Sequence, residues 1–336
     1  MLEECREGPE AAERLLVSDA TALAGLARGL RDQPPASVLT VARGSSDHAA
    51  HYMAYLIMAR LGRLVTSLPM SIVTLYHAQL RCEGLLAVAF SQSGRSPDLV
   101  APIQSVRSGG AHTVAFVNDE HSPLAHAAQW LFPLHAGPES SVAATKSFLA
   151  QLVAGARLVA AWQGNEDWSA AVRTLPEAMQ RALQQDWSAM SDSLHDCDRL
   201  FVIGRGTGQS IAMEAALKFK EVCGIQAEAY SGAELRHGPL ALVEEGYPLL
   251  VFAPRGPAQP GLLELANDLR ARGANVLLAA PAGTPGAQLK IASAAHEDLD
   301  PVCAIQSFYP AVEALARARA MDPDKPRHLQ KVTQTH

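Results

Sequence analysis

Two short stretches of the sequence place hydroxyl side chains and glycine directly after an apolar run. Residues 37–42 lead into Arg-Gly-Ser-Ser at 43–46, and residues 85–90 lead into Ser-Gln-Ser-Gly at 91–94, with Ser96 close behind. Hydroxyls, a flexible glycine and the N–H groups at the start of a helix are suited to hold phosphate. A single serine-rich turn can instead simply cap a helix. Because two such loops follow neighbouring apolar runs, we predict a phosphate site.

A second group of side chains suited to acid/base chemistry lies in "SIAMEAALKFKEVCG", which has the pattern of a helix. Glu214, Lys218 and Glu221 recur at i, i+4 and i+7, so they share one helix face. One interpretation is a solvated stripe of charges that stabilises the helix by a few tenths of a kcal/mol per pair. The other is an acid/base carboxylate with a lysine beside it. The residues alone leave both interpretations open.

Histidines offer weaker signals. His237 lies in a Gly-Pro turn beside Arg236, where a histidine can be structural or catalytic. His48 and His51 have a spacing that metal ligands use, but no third ligand accompanies them. We therefore predict no metal.

Two further segments carry hydroxyls or charges. The stretch "PESSVAATKSFLAQL" is expected to start a capped helix at Ser140, Ser141 and Thr145, with Lys146 solvated. The proline-rich tail "MDPDKPRHLQKVTQTH" is either disordered or folds over a site and delivers Lys331.

The elements that would position these groups repeat as strand, loop and helix, which is typical of a parallel α/β sheet. "SVLTVA", "GLLAVAF" and "HTVAFVN" are predicted strands. The pattern then returns, since one spacing separates three matched pairs: Arg43 and Arg205, Phe90 and Phe252, Val114 and Val276. We infer two homologous α/β domains in tandem. In the second copy "SQSGRS" has become "APRGPA", without hydroxyls.

Composition limits the function classes. The 336-residue chain has a formal net charge of −6, which argues against a nucleic-acid partner. No apolar run is long enough for a membrane span, and "MLEECREGPE" is too charged for a secretory signal. The loops match neither the Walker A pattern nor G-x-G-x-x-G, so a dinucleotide is not expected. Five scattered cysteines predict reduced thiols and a cytoplasmic protein.

These residues carry a resemblance to a known family. The whole chain resembles the isomerase part of glutamine–fructose-6-phosphate aminotransferase, which has two sugar-isomerase (SIS) domains and a C-terminal tail. The matching motifs are "SQSGRSPD", "SVAATKSF", "EAALKFKEV", "AEAYSGAELRHGPLAL" and "DPDKPRHLQK". "ARGSSDHA" and "SQSGRSPDLV" look more like stand-alone SIS-type glucosamine-6-phosphate deaminases.

The resemblance implies two tandem SIS domains of the α/β class, each a parallel sheet flanked by helices in a flavodoxin-like three-layer sandwich. We expect an N-terminal helical segment (1–34), SIS domain 1 (35–160), a helical connector (161–194), SIS domain 2 (195–320) and a C-terminal tail (321–336). It also implies a homodimer with a shared active site and no cofactor.

The resemblance also implies roles for individual residues. Glu221 would transfer a proton between C1 and C2 of the sugar, supported by Glu214 and Lys218. His237 would assist ring opening from a neighbouring subunit, and Lys331 would be the tail lysine that can form a Schiff base with a ketose. The expected substrate-binding residues are Ser45, Ser46, Ser91, Gln92, Ser93, Ser96, Val142 and Ala143.

The chain departs from the aminotransferase pattern at two places. It begins Met1-Leu2 without the glutaminase domain, so glutamine is not the expected ammonia source within this chain. Ala144 replaces a common serine in the sugar site. The expected function is isomerising deamination of glucosamine 6-phosphate. The alternatives are a deaminase, deglycase or isomerase of another phosphosugar, such as galactosamine 6-phosphate or fructosamine 6-phosphate, and a non-catalytic phosphosugar sensor.

Overall fold

The computed structural model of the protein describes residues 1–331. The last five residues of the predicted tail lie outside this range. Ten strands are present in the described part: β1 (Ser37–Val41), β2 (Val65–Ser67), β3 (Leu85–Ser91), β4 (His112–Val117), β5 (Trp130–Pro133), β6 (Arg199–Gly204), β7 (Gln226–Ser231), β8 (Pro248–Phe252), β9 (Asn275–Pro281) and β10 (Leu289–Ile291).

Helices connect and cover these strands. In chain order they are α1 (Leu2–Arg6), α2 (Gly8–Val17), α3 (Ala20–Asp32), α4 (Ser45–Leu61), α5 (Ser71–Thr74), α6 (Pro97–Ser108), α7 (Pro123–Ala127), α8 (Lys146–Gln163), α9 (Glu166–Arg173), α10 (Leu175–Leu183), α11 (Ser188–Leu194), α12 (Gly208–Cys223), α13 (Gln259–Ala271) and α14 (Asp300–Ala318). Short 3₁₀ turns cover Glu234–His237, Pro239–Leu242 and Glu297–Leu299.

The strands form two five-stranded sheets with every pair parallel. Their orders are β2-β1-β3-β4-β5 and β10-β9-β8-β6-β7. Read from β7, the second order repeats the first, which confirms the tandem α/β repeat and the predicted fold class. Each sheet reverses its strand order beside its first strand, and open α/β sheets bind ligands at this kind of position.

The described residues fall into two compact units. The β1–β5 unit comprises Glu10–Glu139, Lys146–Arg173 and the chain from Leu329. The β6–β10 unit comprises Met1–Pro9, Ser140–Thr145 and Thr174–His328.

Each unit buries its sheet on both faces. In the β1–β5 unit, Val41, Ala89 and Ala115 pack with Leu99 and Ile103 of α6 in one apolar cluster, and α4 packs against α8. α8 is buried around almost its whole circumference, as expected for a helix that is apolar on all sides. In the β6–β10 unit, α12 packs against α14. Such burial explains the nearly continuous apolar runs of the central strands.

The predicted strands at residues 37–42, 84–90 and 112–118 are observed as β1, β3 and β4. The helix expected to start near Ser140 begins instead at Lys146. The prediction that Lys146 is solvated was wrong, because this side chain is buried at the start of α8.

The loop after β3 has a fixed shape because of Gly94. Its φ is +62°, in the region that favours glycine, and a Cβ here would lie 2.1 Å from Ser122 Oγ and 2.7 Å from Val117 Cγ2. Ser91 Oγ accepts a hydrogen bond from the Gly94 N–H at 3.0 Å. The loop that carries the predicted phosphate ligands is therefore packed directly against its own unit.

We expect Gly94→Ala to lower the free energy of unfolding by about 3 kcal/mol, because it combines left-handed backbone strain with a steric clash. Gly84→Ala is the matched control, since Gly84 has φ +75° but open space around its Cβ position. It should cost about 1 kcal/mol. Urea denaturation of both variants measures the difference, and equal losses would contradict the packing argument.

In the described part of the chain, no helix combines the length and apolar character needed to cross a bilayer.

Candidate functional site

A pocket of about 280 Å³ opens at the carboxyl ends of β1 and β3 in the β1–β5 unit. The loops that follow these strands supply most of its wall, and the chain after Leu329 supplies one more side chain. The lining residues are Arg43, Gly44, Ser46, Ser91, Gln92, Ser93, Ser96, Asp98, Leu99 and Lys331. The pocket thus gathers hydroxyls, an amide, two cations and one carboxylate.

Two helices begin at this pocket. α4 starts directly after Gly44, whose φ is +53°, and α6 starts at Pro97 after its N-cap residue Ser96. The unsatisfied N–H groups and the positive dipole end of a helix favour an anion at its start. This backbone field adds to the hydroxyl groups, so the arrangement is suited to bind an oxyanion.

Gln151 fixes the direction of the Ser46 hydroxyl. The buried Gln151 side chain donates from Nε2 to Ser46 Oγ at 3.0 Å. Since the serine oxygen accepts this bond, its own O–H remains available to donate to a ligand. Gln151 carries no signal in the sequence, because it lies inside α8 and no local pattern connects it with Ser46.

Glu139 holds Lys331 at the pocket. Its carboxylate is fully buried and accepts hydrogen bonds from Ser147 N at 3.1 Å and Ser147 Oγ at 2.6 Å. Lys331 Nζ lies 3.3 Å from Glu139 Oε2, and its side chain is 25% exposed. Of the tail residues, the described part places Lys331 in the wall of this pocket, and residues 332–336 lie outside the described part. Glu139 itself was not singled out from the sequence.

In the β6–β10 unit, the charged face of α12 is buried rather than solvated. Lys218 Nζ lies 3.3 Å from Glu214 Oε1 and 2.5 Å from Glu221 Oε2. The Tyr309 hydroxyl of α14 donates to Glu214 Oε1 at 3.1 Å. Glu214 and Lys218 are fully buried, whereas the Glu221 side chain is 20% exposed. Glu221 is therefore the more accessible carboxylate of the two.

Electrostatics keep Lys218 charged. Burial by itself would lower the pKa of Lys218, but the carboxylates of Glu214 and Glu221 outweigh it and hold the pKa above its ordinary value. A carboxylate left here without the lysine would be an uncompensated buried charge, which is strongly unfavourable.

The remaining predicted residues lie elsewhere. Ser45 is half-buried in the first turn of α4 and is not part of the pocket lining. Val142 lines a separate cavity of about 720 Å³ in the β6–β10 unit, and Ala143 beside it is buried. His237 is exposed at the end of the 3₁₀ turn Glu234–His237.

No group of three His, Cys, Asp or Glu side chains in residues 1–331 is arranged to hold a metal ion.

Lys218→Met should lower the free energy of unfolding by about 3 kcal/mol, because Glu214 would stay buried without its cation. Lys218→Met/Glu214→Gln should lose less free energy of unfolding than the sum of the losses in its two single variants. Denaturant titration of wild type and the three variants would measure this.

The raised pKa of Lys218 also predicts how this stabilisation depends on pH. The difference between wild type and Lys218→Met should shrink as the lysine loses its proton above about pH 10. A difference that instead grows above that pH would contradict the ion-pair account.

Comparison with known proteins agrees with this architecture. The SIS domain family matches residues 30–161 and 193–298, which together exceed half of the chain. Glutamine–fructose-6-phosphate aminotransferase (isomerizing) of Symbiobacterium thermophilum is 32% identical over 360 residues, covering 98% of this chain and 58% of the relative. The chain thus spans about half the length of the curated relatives that it matches.

Two solved structures extend the likeness over nearly the full chain. One, from Silicibacter pomeroyi DSS-3, is described as a candidate phosphosugar isomerase; it has a TM-score of 0.91 and 44% identity over 96% of this chain and 99% of that chain. The C-terminal domain of glucosamine-fructose-6-phosphate aminotransferase from Francisella tularensis has a TM-score of 0.86 and 25% identity, covering 97% and 98%. The chain therefore belongs to the SIS-domain family, and its two SIS domains are homologous to the isomerase domain of glutamine–fructose-6-phosphate aminotransferase.

Proposed function

We propose that the protein is an enzyme that converts glucosamine 6-phosphate and water into fructose 6-phosphate and ammonia. The observation that carries this proposal is the pocket at β1 and β3, in which serine hydroxyls, two helix N-termini and Lys331 surround a space suited to a phosphate group. The homology to an isomerase domain that acts on hexose phosphates supports the same substrate class.

Phosphate binding would orient the sugar. Ser46, Ser91, Gln92, Ser93 and Ser96 would donate hydrogen bonds to the phosphate oxygens. Because the phosphate is remote from C1 and C2, its binding energy can be used to hold the reacting carbons in place.

The reaction itself needs one proton to move within the sugar. His237 would help to open the ring, and by the family resemblance it would come from the neighbouring subunit of a homodimer. Glu221 would take the proton from C2 of the open-chain aldose, giving an enolamine, and deliver it to C1. This leaves a protonated imine at C2. Water adds there, and ammonia leaves as the ketone forms.

The distribution of burial supports Glu221 as the base. Glu214 is enclosed by Lys218 and Tyr309. Glu221 is partly exposed, and its carboxylate is paired with the Lys218 ammonium.

The proposed reaction uses no redox cofactor, because hydrogen moves from one carbon to its neighbour and no electrons are exchanged with a second compound.

The identity of the sugar is tested by ammonia release. Purified protein is assayed with glucosamine 6-phosphate, with galactosamine 6-phosphate, with fructosamine 6-phosphate, and with glutamine plus fructose 6-phosphate. Ammonia from glucosamine 6-phosphate alone is the expected result. Release from another amino-sugar phosphate would overturn the substrate assignment. Binding of phosphosugars without any turnover would favour the non-catalytic sensor.

Glu221→Gln should lower turnover by about 10²–10⁴-fold, because a positioned general base contributes that much. Phosphosugar affinity should stay within a few-fold, since the phosphate ligands lie on other residues. Glu264→Gln is the control, because Glu264 is an exposed glutamate on α13. Steady-state ammonia release and calorimetric binding measure the two quantities. Turnover retained in Glu221→Gln would refute the role of Glu221 as base.

A further inference from the structure

Arg43 is a pocket residue that the phosphate assignment above does not use. It lies two residues after β1 ends at Val41, and its Nε donates to Asp98 Oδ2 at 2.9 Å. Both residues line the same pocket as Ser46 and Ser93. The two partners differ sharply in exposure, because the Asp98 side chain is 6% exposed and the Arg43 side chain is 55% exposed. A buried carboxylate thus holds a guanidinium that remains open to solvent at the pocket.

The contact with Asp98 sets the direction of the other N–H donors of the Arg43 guanidinium. Arginine has five N–H donors in a rigid planar fork, and the bond to Asp98 uses the one on Nε. A planar fork matches the oxygens of a phosphate, and charge-assisted hydrogen bonds of this kind are about twice as strong as neutral ones. The contact with Asp98 therefore reduces the freedom that Arg43 would lose on binding an anion.

Without a paired cation, the Asp98 carboxylate would repel a phosphate bound in this pocket. Its position in the first turn of α6 suits the helix dipole, but its negative charge lies in the wall of a pocket that we propose to bind an anion. Pairing with Arg43 offsets this charge. The carboxylate is therefore better explained as an anchor for Arg43 than as a ligand of the substrate.

Arg95 provides an internal comparison. It lies in the same loop as Ser93, and its Nη2 donates to Asp119 Oδ2, also at 2.9 Å. Its side chain is 64% exposed, but it is not one of the residues that line the pocket. An arginine–aspartate pair near this loop is thus not in itself a sign of binding, and the position of Arg43 in the wall is the distinguishing feature.

We propose that Arg43 is a direct ligand of the substrate phosphate, held in place by Asp98, and that it makes the pocket selective for phosphomonoesters. The proposal deepens the proposed function and rests on its assignment of this pocket to phosphate. The hydroxyls would then supply neutral donors, and Arg43 would supply a charged, forked donor to the same group.

The test uses inorganic phosphate as the probe, with the full chain and no turnover. Arg43→Met should weaken phosphate binding by about 10- to 100-fold in isothermal titration calorimetry, as expected for loss of a charged hydrogen bond. Arg95→Met should leave it within two-fold. Equal affinities in Arg43→Met and Arg95→Met would overturn the proposal.

A second variant separates direct contact from net charge and guards against misfolding. Arg43→Met leaves Asp98 buried without its cation, whereas Arg43→Met/Asp98→Asn removes both charges and restores the balance of the pocket. If Arg43 touches phosphate, the double variant should still bind at least five-fold more weakly than wild type. Recovery of wild-type affinity would overturn the proposal, because Arg43 would then only neutralise Asp98. Thermal unfolding without phosphate checks that each variant is folded.

The outcome is independent of the deaminase assignment. If wild type releases no ammonia but Arg43→Met loses phosphate affinity, the role of Arg43 stands and the proposed reaction fails. If ammonia is released and phosphate affinity does not depend on Arg43, the proposed reaction stands and the role of Arg43 fails.

With glucosamine 6-phosphate as substrate, Arg43→Met should raise KM by about the same factor as the phosphate Kd, with kcat within a few-fold.

Discussion

The candidate site depends on one constraint of parallel sheets. Neighbouring parallel strands must be joined by a crossover, which in the β1–β5 unit contains a helix, so the strand-to-helix loops leave the sheet at the same edge. In the β1–β5 unit, this brings the loops after β1 and β3 side by side, although they are far apart in the chain. The helices that follow both begin at that edge, so their N–H groups face the same space. Hydroxyls, glycines and helix dipoles converge because of topology rather than because of any single contact.

The two units share this topology but use it differently. The loop after β3 carries serines and lines a pocket, whereas the corresponding loop after β8 has lost its hydroxyls. Arg255 in that second loop instead makes a two-pronged contact with the buried Asp300, at 2.7 Å from Nε to Oδ2 and 2.8 Å from Nη2 to Oδ1. The ion pair fixes the loop to its own unit. One copy of the repeat thus has a loop suited to an anion, and in the other an arginine of the corresponding loop is paired with a buried aspartate of its own unit.

Buried carboxylates that hold cations recur through the molecule. Glu139 contacts Lys331, Asp98 contacts Arg43, and Glu214 contacts Lys218. A buried carboxylate is costly unless it is paired, so each of these cations is restrained in position. In the first two pairs the cation keeps partial exposure and lines the pocket, which is the arrangement expected when a pair orients a side chain for a ligand.

The sequence by itself determined the repeat, the central strands and the residue types of the pocket. Apolar runs such as 85–90 and 114–117 must be buried on both faces, and turn residues after them mark the ends of strands. The short edge strands β2 and β5 were not predicted, because they have few residues and are partly exposed.

The burial of Lys146 and Lys218 was decided by the tertiary structure and not by the local sequence pattern. A helix face that alternates Glu and Lys has the same sequence whether water or another helix covers it. Only the packing of α14 against α12 encloses Glu214, and only the path of the tail brings Lys331 to Glu139. Contacts between residues so distant in the chain depend on the complete fold, because no local propensity records which surfaces will meet.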